Sequence, residues 1–432
     1  MTTLTPASLK APVWQHGTLL PEFGGDEIVV LDRASGVELW DEEGHRYLDG
    51  WSQFGACVIG HGREEIADAA ALQMRKGAHL APILNLTNRP AQDLAEFLLA
   101  ELALPGGSVR FATSGSEAVE ASFRVALNYH LNRGEPDRRI ILSAAGGYHG
   151  NTTATAAATR RPDMAHFIRE LTPTYASLPT TPHDDEEASA RFVAELREQI
   201  ATLGAANIAA FIGEPIPVGG GVRVPVADHW SRVQELLREN GILHIVDEVF
   251  TGFGRTGKIF GHQHYSITPD IITLSKGLSS GYFPISACVV SAGVADAFDE
   301  AGENALRHMG TYSGHATGCA VALAVQQTIA RESLPAQAAK RGELIRERLA
   351  KICEQNSAIV GEVRGIGMLW SISLIPREGT DVARAAVAEC RRRGLLTQGL
   401  GGQLFFYPPL VASEQELESM LAIVSDSLAA LS

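Results

Sequence analysis

The chain is short of basic residues, and this shortage excludes the partners that attract cationic proteins. It carries 36 Lys and Arg against 50 Asp and Glu, which gives a formal net charge of −14 at pH 7. A protein that binds nucleic acid or an anionic membrane surface needs positive charge where it binds. We therefore expect neither a nucleic acid nor a membrane as a partner.

Long apolar runs and paired cysteines are also lacking. No apolar run approaches the ~20 residues of a membrane helix, and the first residues lack the basic and apolar regions of a secretory signal. The 5 cysteines are odd in number and show no CxxC spacing. They indicate reduced thiols in a cytoplasmic protein, and we expect no metal site.

What is present suits a large α/β protein. Of the 432 residues, 45% are hydrophobic, which is enough for a sizeable core. Over residues 108–290, short apolar runs alternate with amphipathic segments, which predicts a mostly parallel sheet flanked by helices. After about Leu334 the pattern becomes α+β. We predict a large domain over 60–325 and a smaller α+β domain built from 1–59 and 326–432.

Two buried strands within 241–280 end in charged residues. Ile242–Val246 and Ile271–Leu274 are short apolar runs of the kind that form strands covered on both faces. Asp247 follows the first run and Lys276 lies just after the second, and charged side chains are rarely buried without a partner. Since open α/β sheets bind ligands at the carboxyl ends of their strands, we predict a shared polar site.

A lysine and an aspartate in such a site suit one kind of chemistry. A partly desolvated lysine has a lowered pKa and forms a Schiff base with an aldehyde, and a carboxylate can keep a pyridinium nitrogen protonated. Lys276 and Asp247 therefore match a pyridoxal phosphate (PLP) site. Taken alone, the two residues fit another interpretation equally well, in which Asp247 is a strand-end cap and Lys276 is a solvated loop lysine.

The same stretch matches two nucleotide motifs that the sequence context disfavours. Gly252–Gly257 fits GxGxxG and Gly252–Lys258 fits GxxxxGK, but both motifs require a helix directly afterwards. The following residues have no helical apolar period, and Ile259 stands where the second motif needs Ser or Thr. We predict neither a dinucleotide nor a nucleoside triphosphate site.

Small residues and an exposed aromatic ring mark two further ligand-binding segments. Ser114, Gly115 and Ser116 join a strand to a helix that we predict from about residue 117 to 131, where free N–H groups and the helix dipole favour a phosphate. A plain serine cap uses the same geometry. Glycines flank Tyr148 and His149, so the Tyr148 ring can stack on a pyridine ring, while a histidine there is more often structural. The polar segment Ser177–Glu187 is predicted to be a loop or cap.

Four motifs follow one another over residues 247–277, namely Asp247-Glu248, Arg255-Thr256-Gly257, Pro269-Asp270 and Ser275-Lys276-Gly277. Segments on either side support them, namely Ser114–Ala118, Gly147–Gly150, Gly213–Pro215 and Thr311–His315. In this combination, from Tyr47 to Pro408, the chain resembles the class III aminotransferases, which are PLP enzymes of fold type I with a seven-stranded type of sheet.

The resemblance implies roles for individual residues around pyridoxal 5'-phosphate. Lys276 would form the Schiff base and carry the proton, and Asp247 would hold the pyridinium proton. Tyr148 and Val249 would cover the two ring faces. The other residues implied at the cofactor are Ser114, Gly115, Ser116, His149, Glu214 and Thr311. Thr311 would reach the phosphate of the neighbouring subunit, so a homodimer with shared active sites is expected.

The substrate side departs from the family pattern. The resemblance places Trp51, Phe54, Gly55 and Gln398 at the substrate pocket. Gln398 stands where many members carry an arginine that binds the acceptor's carboxylate, and Gly55 stands where amine-accepting members often carry a bulky aromatic residue. Carboxylate recognition then falls to another cation, with Arg223 and Arg307 as candidates, and Gly55 leaves room for a larger substrate.

The resemblance implies a transaminase that moves an amino group from an amine or an ω- or β-amino acid to a keto acid or aldehyde acceptor by a ping-pong mechanism. The alternative is other PLP chemistry on the same scaffold: a 1,2-aminomutase, an amino-acid epimerase or a phospho-lyase. A non-catalytic scaffold is disfavoured, because it would be expected to have lost Lys276 or Asp247, and both are present.

Overall fold

The computed structural model describes residues 28–159, 175–299, 306 and 308–432. The first 27 residues of the predicted small domain and the candidate Arg307 therefore lie outside the described residues. The described part opens with an antiparallel meander of β1 (Leu31–Ser35), β2 (Glu38–Asp41) and β3 (Arg46–Asp49). Among the described residues, no helix combines the length and the apolar character needed to cross a bilayer.

The central sheet has seven strands in the described part of the chain, in the order β4-β10-β9-β8-β7-β5-β6. All neighbours are parallel except for β10, which runs antiparallel to β4 and β9. Every residue of β7, β8 and β9 is buried, as expected for strands with helices over both faces. The strands are β4 (Ser108–Ala112), β5 (Ile140–Ala145), β6 (Tyr175–Thr180), β7 (Ile208–Gly213), β8 (Leu243–Asp247), β9 (Ile271–Leu274) and β10 (Ser286–Val290).

Helices connect and cover these strands, and several begin at side-chain caps that the sequence encodes. Ser114 and Ser413 each form a capping box with a glutamate three residues later. The α-helices, leaving aside the short turn at Ser52–Gly55, are α1 (Glu64–Gly77), α2 (Arg89–Glu101), α3 (Gly115–Asn132), α4 (Thr153–Thr159), α5 (Glu186–Leu203), α6 (His229–Glu239), α7 (Ala292–Asp299), α8 (Ala316–Arg331), α9 (Leu334–Gln355), α10 (Val382–Arg392) and α11 (Glu414–Ala429).

The C-terminal part adds a second sheet and extends the N-terminal one. Its strands are β11 (Val360–Ile366), β12 (Leu369–Leu374), β13 (Leu395–Leu396), β14 (Gln398–Leu400) and β15 (Gln403–Phe406). β11, β12, β15 and β14 form an antiparallel sheet in that order, which we call the small sheet. β13 instead pairs in parallel with β3, placing Leu395 opposite Leu48. The N-terminal meander and the C-terminal segment are thus joined by backbone hydrogen bonds.

The structure corrects the sequence-based prediction in three places. The predicted loop at Ser177–Glu187 contains most of β6, whose one fully buried residue is Leu178. β6 is an edge strand bonded only to β5, so it carries the polar residues and the proline that such strands tolerate. The strands β13 and β14 were not predicted, because two or three residues carry no pattern. α3 begins at Gly115, two residues before its predicted start.

The segment that matched the nucleotide motifs is a connector between distant parts of the chain. It folds into turns, and fully buried Arg255 donates from Nη1 to Met368 O at 3.3 Å and from Nη2 to Ser52 Oγ at 3.1 Å. Nη1 also donates to Pro408 O. Burial lowers the pKa of Arg255 to about 10. Because this value is still well above 7, the guanidinium group remains charged at neutral pH. Arg255 therefore holds the N-terminal turn and the C-terminal segment against the large sheet.

Candidate active site

A cavity of about 280 Å³ lies where the carboxyl ends of β4, β5, β7, β8 and β9 meet the small sheet. This is the edge at which the sequence predicted a shared polar site. The residues that line the cavity are Phe54, Gly115, Ser116, Tyr148, His149, Gly150, Glu214, Val218, Gly219, Asp247, Val249, Phe250, Ser275, Lys276, Gln398, Leu400 and Phe405.

Asp247 ends β8 as a buried carboxylate with three hydrogen-bond partners. His149 Nδ1 lies 2.8 Å from Oδ2, Thr273 Oγ1 donates to Oδ1 at 2.9 Å, and the Val249 amide donates to Oδ1 at 3.1 Å. Thr273 can do so because the β8–β9 register places it directly opposite Asp247. These contacts fix the orientation of the carboxylate, and the Asp247 side chain is only 3% exposed.

Lys276 begins a short 3-10 turn directly after β9, with φ at +42°. A positive φ is uncommon outside glycine and is often found at functional sites. The Lys276 Nζ lies 4.7 Å from the centroid of the Phe250 ring. Burial lowers the pKa of Lys276, against the opposing charges of Asp247 and Glu214. A lysine in this environment is more often neutral, and so nucleophilic, than a solvated one.

Glu214 places a second carboxyl group at the cavity, just beyond β7. Its Oε1 accepts the Tyr148 amide at 2.9 Å, and its Oε2 accepts the Val218 amide at 3.3 Å. Burial, together with the charge of Asp247, raises the pKa of Glu214 to about 7, although His149 opposes the shift. The group is therefore poised to change protonation near neutral pH.

The N-terminus of α3 forms another part of the cavity wall. Ser114 is the N-cap and its side chain accepts the Glu117 amide at 3.3 Å, so the serine cap predicted from the sequence is present. Gly115 and Ser116 follow as the first two residues of the helix, where amide groups have no intrahelical acceptor. Gly150 packs so closely that a Cβ would lie 2.5 Å from Ser116 Oγ, and its φ is +125°. Only glycine fits there.

The substrate-side residues separate into two groups. Phe54 and Gln398 line the cavity, and Gln398 Oε1 accepts a hydrogen bond from the Tyr407 hydroxyl group. Trp51 and Gly55 do not line it. The Trp51 ring packs edge-on against Phe54 at 5.9 Å between centroids. A Cβ on Gly55 would lie 2.6 Å from Phe250 Cζ, so the room that the sequence suggested at Gly55 is filled by Phe250.

Phe250 is a cavity residue that sequence reasoning missed. It contacts the tyrosine that binds Gln398, since the Phe250 and Tyr407 rings meet edge-to-face at 5.2 Å. Its position directly after Val249 was the available clue, because both follow the strand that ends at Asp247.

Thr311 is exposed and does not line the cavity of its own chain. Of the residues predicted at the cofactor, only Thr311 and the helix cap Ser114 do not line the cavity of the single chain.

The remaining donor set fits pyridoxal phosphate. Lys276 supplies an amine for the aldehyde, Asp247 supplies a buried carboxylate for the ring nitrogen, and the α3 N-terminus supplies free amides for the phosphate. Tyr148 and Val249 add an aromatic and an aliphatic surface to the same cavity.

Comparison with known proteins gives the same result. The sequence profile of the family described as aminotransferase class-III matches residues 23–428. The crystal structure of a PLP-bound amine transaminase from an uncultivated Pseudomonas species superimposes with a TM-score of 0.94, at 33% identity and over 99% of this chain and 100% of that one.

Two curated relatives align over nearly their whole length. A probable gamma-aminobutyrate transaminase of Oryza sativa is 31% identical, over 94% of this chain and 85% of the relative. The putrescine–pyruvate aminotransferase of Pseudomonas aeruginosa is 30% identical, over 92% of this chain and 90% of the relative. This chain therefore belongs to the class III aminotransferases of PLP fold type I, and its cofactor is pyridoxal 5'-phosphate.

Proposed function

We propose that this enzyme moves an amino group from an amine or an ω- or β-amino acid to a keto acid or aldehyde, in two half-reactions at one cavity. The carrying observation is that the Lys276 amine and the Asp247 carboxylate, at the ends of neighbouring strands, border the same cavity. The similarity to an amine transaminase, to a putrescine aminotransferase and to a gamma-aminobutyrate transaminase supports this range of donors.

Asp247 and Lys276 would handle the two protons on which the proposed reaction depends. Bound PLP supplies an electron sink that allows the C–H bond beside the amino nitrogen to ionise. Asp247 holds the proton of the ring nitrogen, and His149 and Thr273 orient Asp247 for that task. With PLP bound, Lys276 would take the proton from the substrate carbon and hold it for the return step, a role that its lowered pKa favours.

The other cavity residues bind and position. Tyr148 and Val249 would cover the two faces of the ring, and the amides of Gly115 and Ser116 would hold the phosphate at the N-terminus of α3, which Ser114 caps. Glu214, which borders the same cavity, would bind beside the cofactor on the substrate side.

A screen of half-reactions tests the proposal. The PLP enzyme is mixed with single amines, ω-amino acids and α-amino acids, and the loss of its cofactor absorbance is followed without any acceptor. We expect conversion by amines or ω-amino acids, with release of the matching aldehyde. No conversion by any donor, or a product in which the amino group has moved within one molecule, would contradict the proposal and favour a lyase, epimerase or mutase.

We further propose a homodimer in which Thr311 completes the phosphate site of the neighbouring subunit. Thr311 is exposed in the single chain, and large apolar side chains are exposed in two segments, with Leu84 94%, Leu86 69% and Met309 79% exposed. Exposed large apolar side chains of this kind are often covered at subunit interfaces. Light scattering should give twice the chain mass for the parent and a lower mass for Leu84→Asp, with Leu131→Asp on α3 as the control. A monomeric parent would contradict the proposal.

The domain division and location are also proposals. The pairing of β3 with β13 supports a small domain built from residues 1–59 and 326–432 around a large domain of 60–325. The five cysteines are all free thiols, which supports a cytoplasmic location. Limited proteolysis that releases residues 326–432 without the N-terminal segment would contradict the domain division. Finding the protein in an oxidising compartment would contradict the cytoplasmic location.

A further inference from the structure

One face of the small sheet continues from the cavity wall to a half-buried arginine, Arg364. Across the sheet, Arg364 on β11 lies opposite Ser371 on β12, which lies opposite Phe405 on β15, which lies opposite Gln398 on β14. Directly opposed residues of antiparallel strands point to the same face. Since Phe405 and Gln398 line the cavity, Arg364 and Ser371 lie on the cavity side of the sheet.

A second row on this face runs beside the first. Glu362, Ser373, Gln403 and Leu400 are opposed in the same manner, and each stands two residues from a member of the first row. Alternation along a strand places residues two apart on one face. Leu400 also lines the cavity, so both rows lead away from it.

Three buried polar atoms on this face have no partner among the described residues. They are Arg364 Nε, Ser371 Oγ and Gln403 Oε1. Buried polar groups are nearly always hydrogen-bonded, so unpaired ones clustered beside a cavity indicate a place where a ligand or water binds. Two of the three can donate, which suits an anion.

Arg223 brings a second guanidinium group to this face from the large domain. It follows the Gly219–Gly221 turn, whose first residue lines the cavity. A Cβ on Gly220 would lie 3.4 Å from Arg223 Cδ, and one on Gly221 would lie 3.1 Å from Gln403 Cδ. The Arg223 Nε donates to Thr181 O at 2.5 Å, which leaves both Nη groups without a partner within the described ranges.

The two arginines are close enough to repel each other, and the cluster keeps a net positive charge. Burial, and then the charge of Arg364, lower the pKa of Arg223, while the charge of Glu362 opposes the shift. Glu362 accepts from Arg364 Nη2, and His183 Nε2 lies 3.8 Å from Glu362. Burial and the two arginines lower the pKa of His183, so the imidazole is neutral at pH 7. Two guanidinium groups against one carboxylate leave one uncompensated positive charge.

We propose that Arg223 and Arg364, which we call the arginine subsite, bind a substrate carboxylate that lies several bonds from the reacting carbon. Neighbouring strands are about 4.8 Å apart, so the Arg364 backbone lies about 10 Å from that of Phe405 at the cavity. A carboxylate on the reacting carbon beside Lys276 is too near the cofactor to reach it. The subsite therefore selects long ω-amino acids over short ones, a selection that rests on the proposed transaminase function.

A chain-length series tests the subsite. Half-reaction kcat/KM of the PLP enzyme is measured for 6-aminohexanoate against hexylamine, and for β-alanine against propylamine. We expect the acid-to-amine ratio to be at least tenfold higher for the long pair than for the short pair. Arg223→Gln and Arg364→Gln should each lower the long-pair ratio at least tenfold. Arg346→Gln, an exposed arginine paired with Glu343 on α9, is the matched control and should leave the ratio within twofold.

Outcomes for the subsite and for the proposed function are separable. A long-pair ratio unchanged within twofold in both Arg223→Gln and Arg364→Gln would overturn the subsite even if transamination is fast. If no amine reacts at all, the proposed function fails, and calorimetric binding of hexanoate and hexanamide to the PLP enzyme still decides the subsite. We expect the parent to prefer hexanoate at least tenfold and both variants to lose that preference. Arg364→Lys, which keeps the charge, should retain part of it, and equal binding of the two probes by the parent would overturn the inference.

Discussion

The His149 imidazole and the Asp247 carboxylate form a buried pair, with Nδ1 2.8 Å from Oδ2. The His149 backbone amide donates to Thr159 Oγ1 at 3.0 Å, so the backbone of His149 is anchored to the end of α4. Together with the Thr273 hydroxyl group, the imidazole contact fixes the direction of the carboxylate. His149 thus acts through Asp247, as a positioning residue for the group proposed to hold the ring-nitrogen proton.

Replacing Asp247 by Asn should preserve PLP binding and abolish most of the activity. The amide cannot keep the ring nitrogen protonated, and an electrostatic partner of this kind supplies a few kcal/mol to the transition state. We expect kcat/KM to fall by about 100-fold or more, measured with the best donor and acceptor. Asp228→Asn, an exposed aspartate paired with Arg232, is the control. Turnover of Asp247→Asn within about threefold of the parent would reduce Asp247 to a strand-end residue.

The raised pKa of Glu214 predicts a pH-dependent stability in the cofactor-free protein. The folded state holds this proton up to about pH 7, while the unfolded chain releases it near 4.5. The contribution of Glu214 to the free energy of unfolding is therefore fully present below pH 4.5. About 3 kcal/mol of it is lost as the pH rises to 7. Urea unfolding of the parent and Glu214→Gln at pH 5 and pH 8 should show the parent losing stability relative to the variant. A difference that does not change with pH would refute the shift.

Gln398→Arg should shift preference towards charged acceptors. Gln398 lines the cavity, where it now accepts one hydrogen bond from Tyr407. A charge-assisted arginine–carboxylate pair contributes roughly 1.5–3 kcal/mol, so the kcat/KM ratio of a keto acid to its matching aldehyde should rise about tenfold or more. No change would show that another cation already binds the acceptor. That cation would not be Arg223, whose subsite lies too far from the reacting carbon; Arg307, the other candidate from the sequence, lies outside the described residues.

Gly55 and Phe250 should be energetically coupled. Gly55 has φ +78°, and a Cβ there would overlap the Phe250 ring at 2.6 Å. Gly55→Ala should therefore lower the free energy of unfolding by about 2 kcal/mol or more, through backbone strain and overpacking. In a double-mutant cycle, Phe250→Ala should remove the overpacking part of that loss. Strictly additive effects would mean that the ring moves aside without cost.

The sequence predicted the elements whose patterns are long or repeated. The buried runs that became β8 and β9, and the Ser114–Glu117 capping box, follow from local chemistry, so their positions were found within one or two residues. The edge strand β6 was missed because its polar alternation resembles a loop.

The cavity shows the same limit. Lys276 and Asp247 were found because charged residues at the ends of apolar strands are conspicuous. Their partners depend on packing between elements far apart in the chain: Phe250 fills the space over Gly55, and Arg364 reaches the cavity face only through the register of the small sheet. No local pattern encodes such contacts.

Borohydride reduction of the purified enzyme, followed by peptide mapping, tests the central claim most directly. The claim is that the amine at the end of β9 carries the cofactor opposite the Asp247 carboxylate. Reduction should bleach the yellow protein and attach one pyridoxyl group to Lys276, while Lys276→Ala should yield no labelled peptide. A pyridoxyl group on any other lysine, in the parent enzyme, would contradict the account.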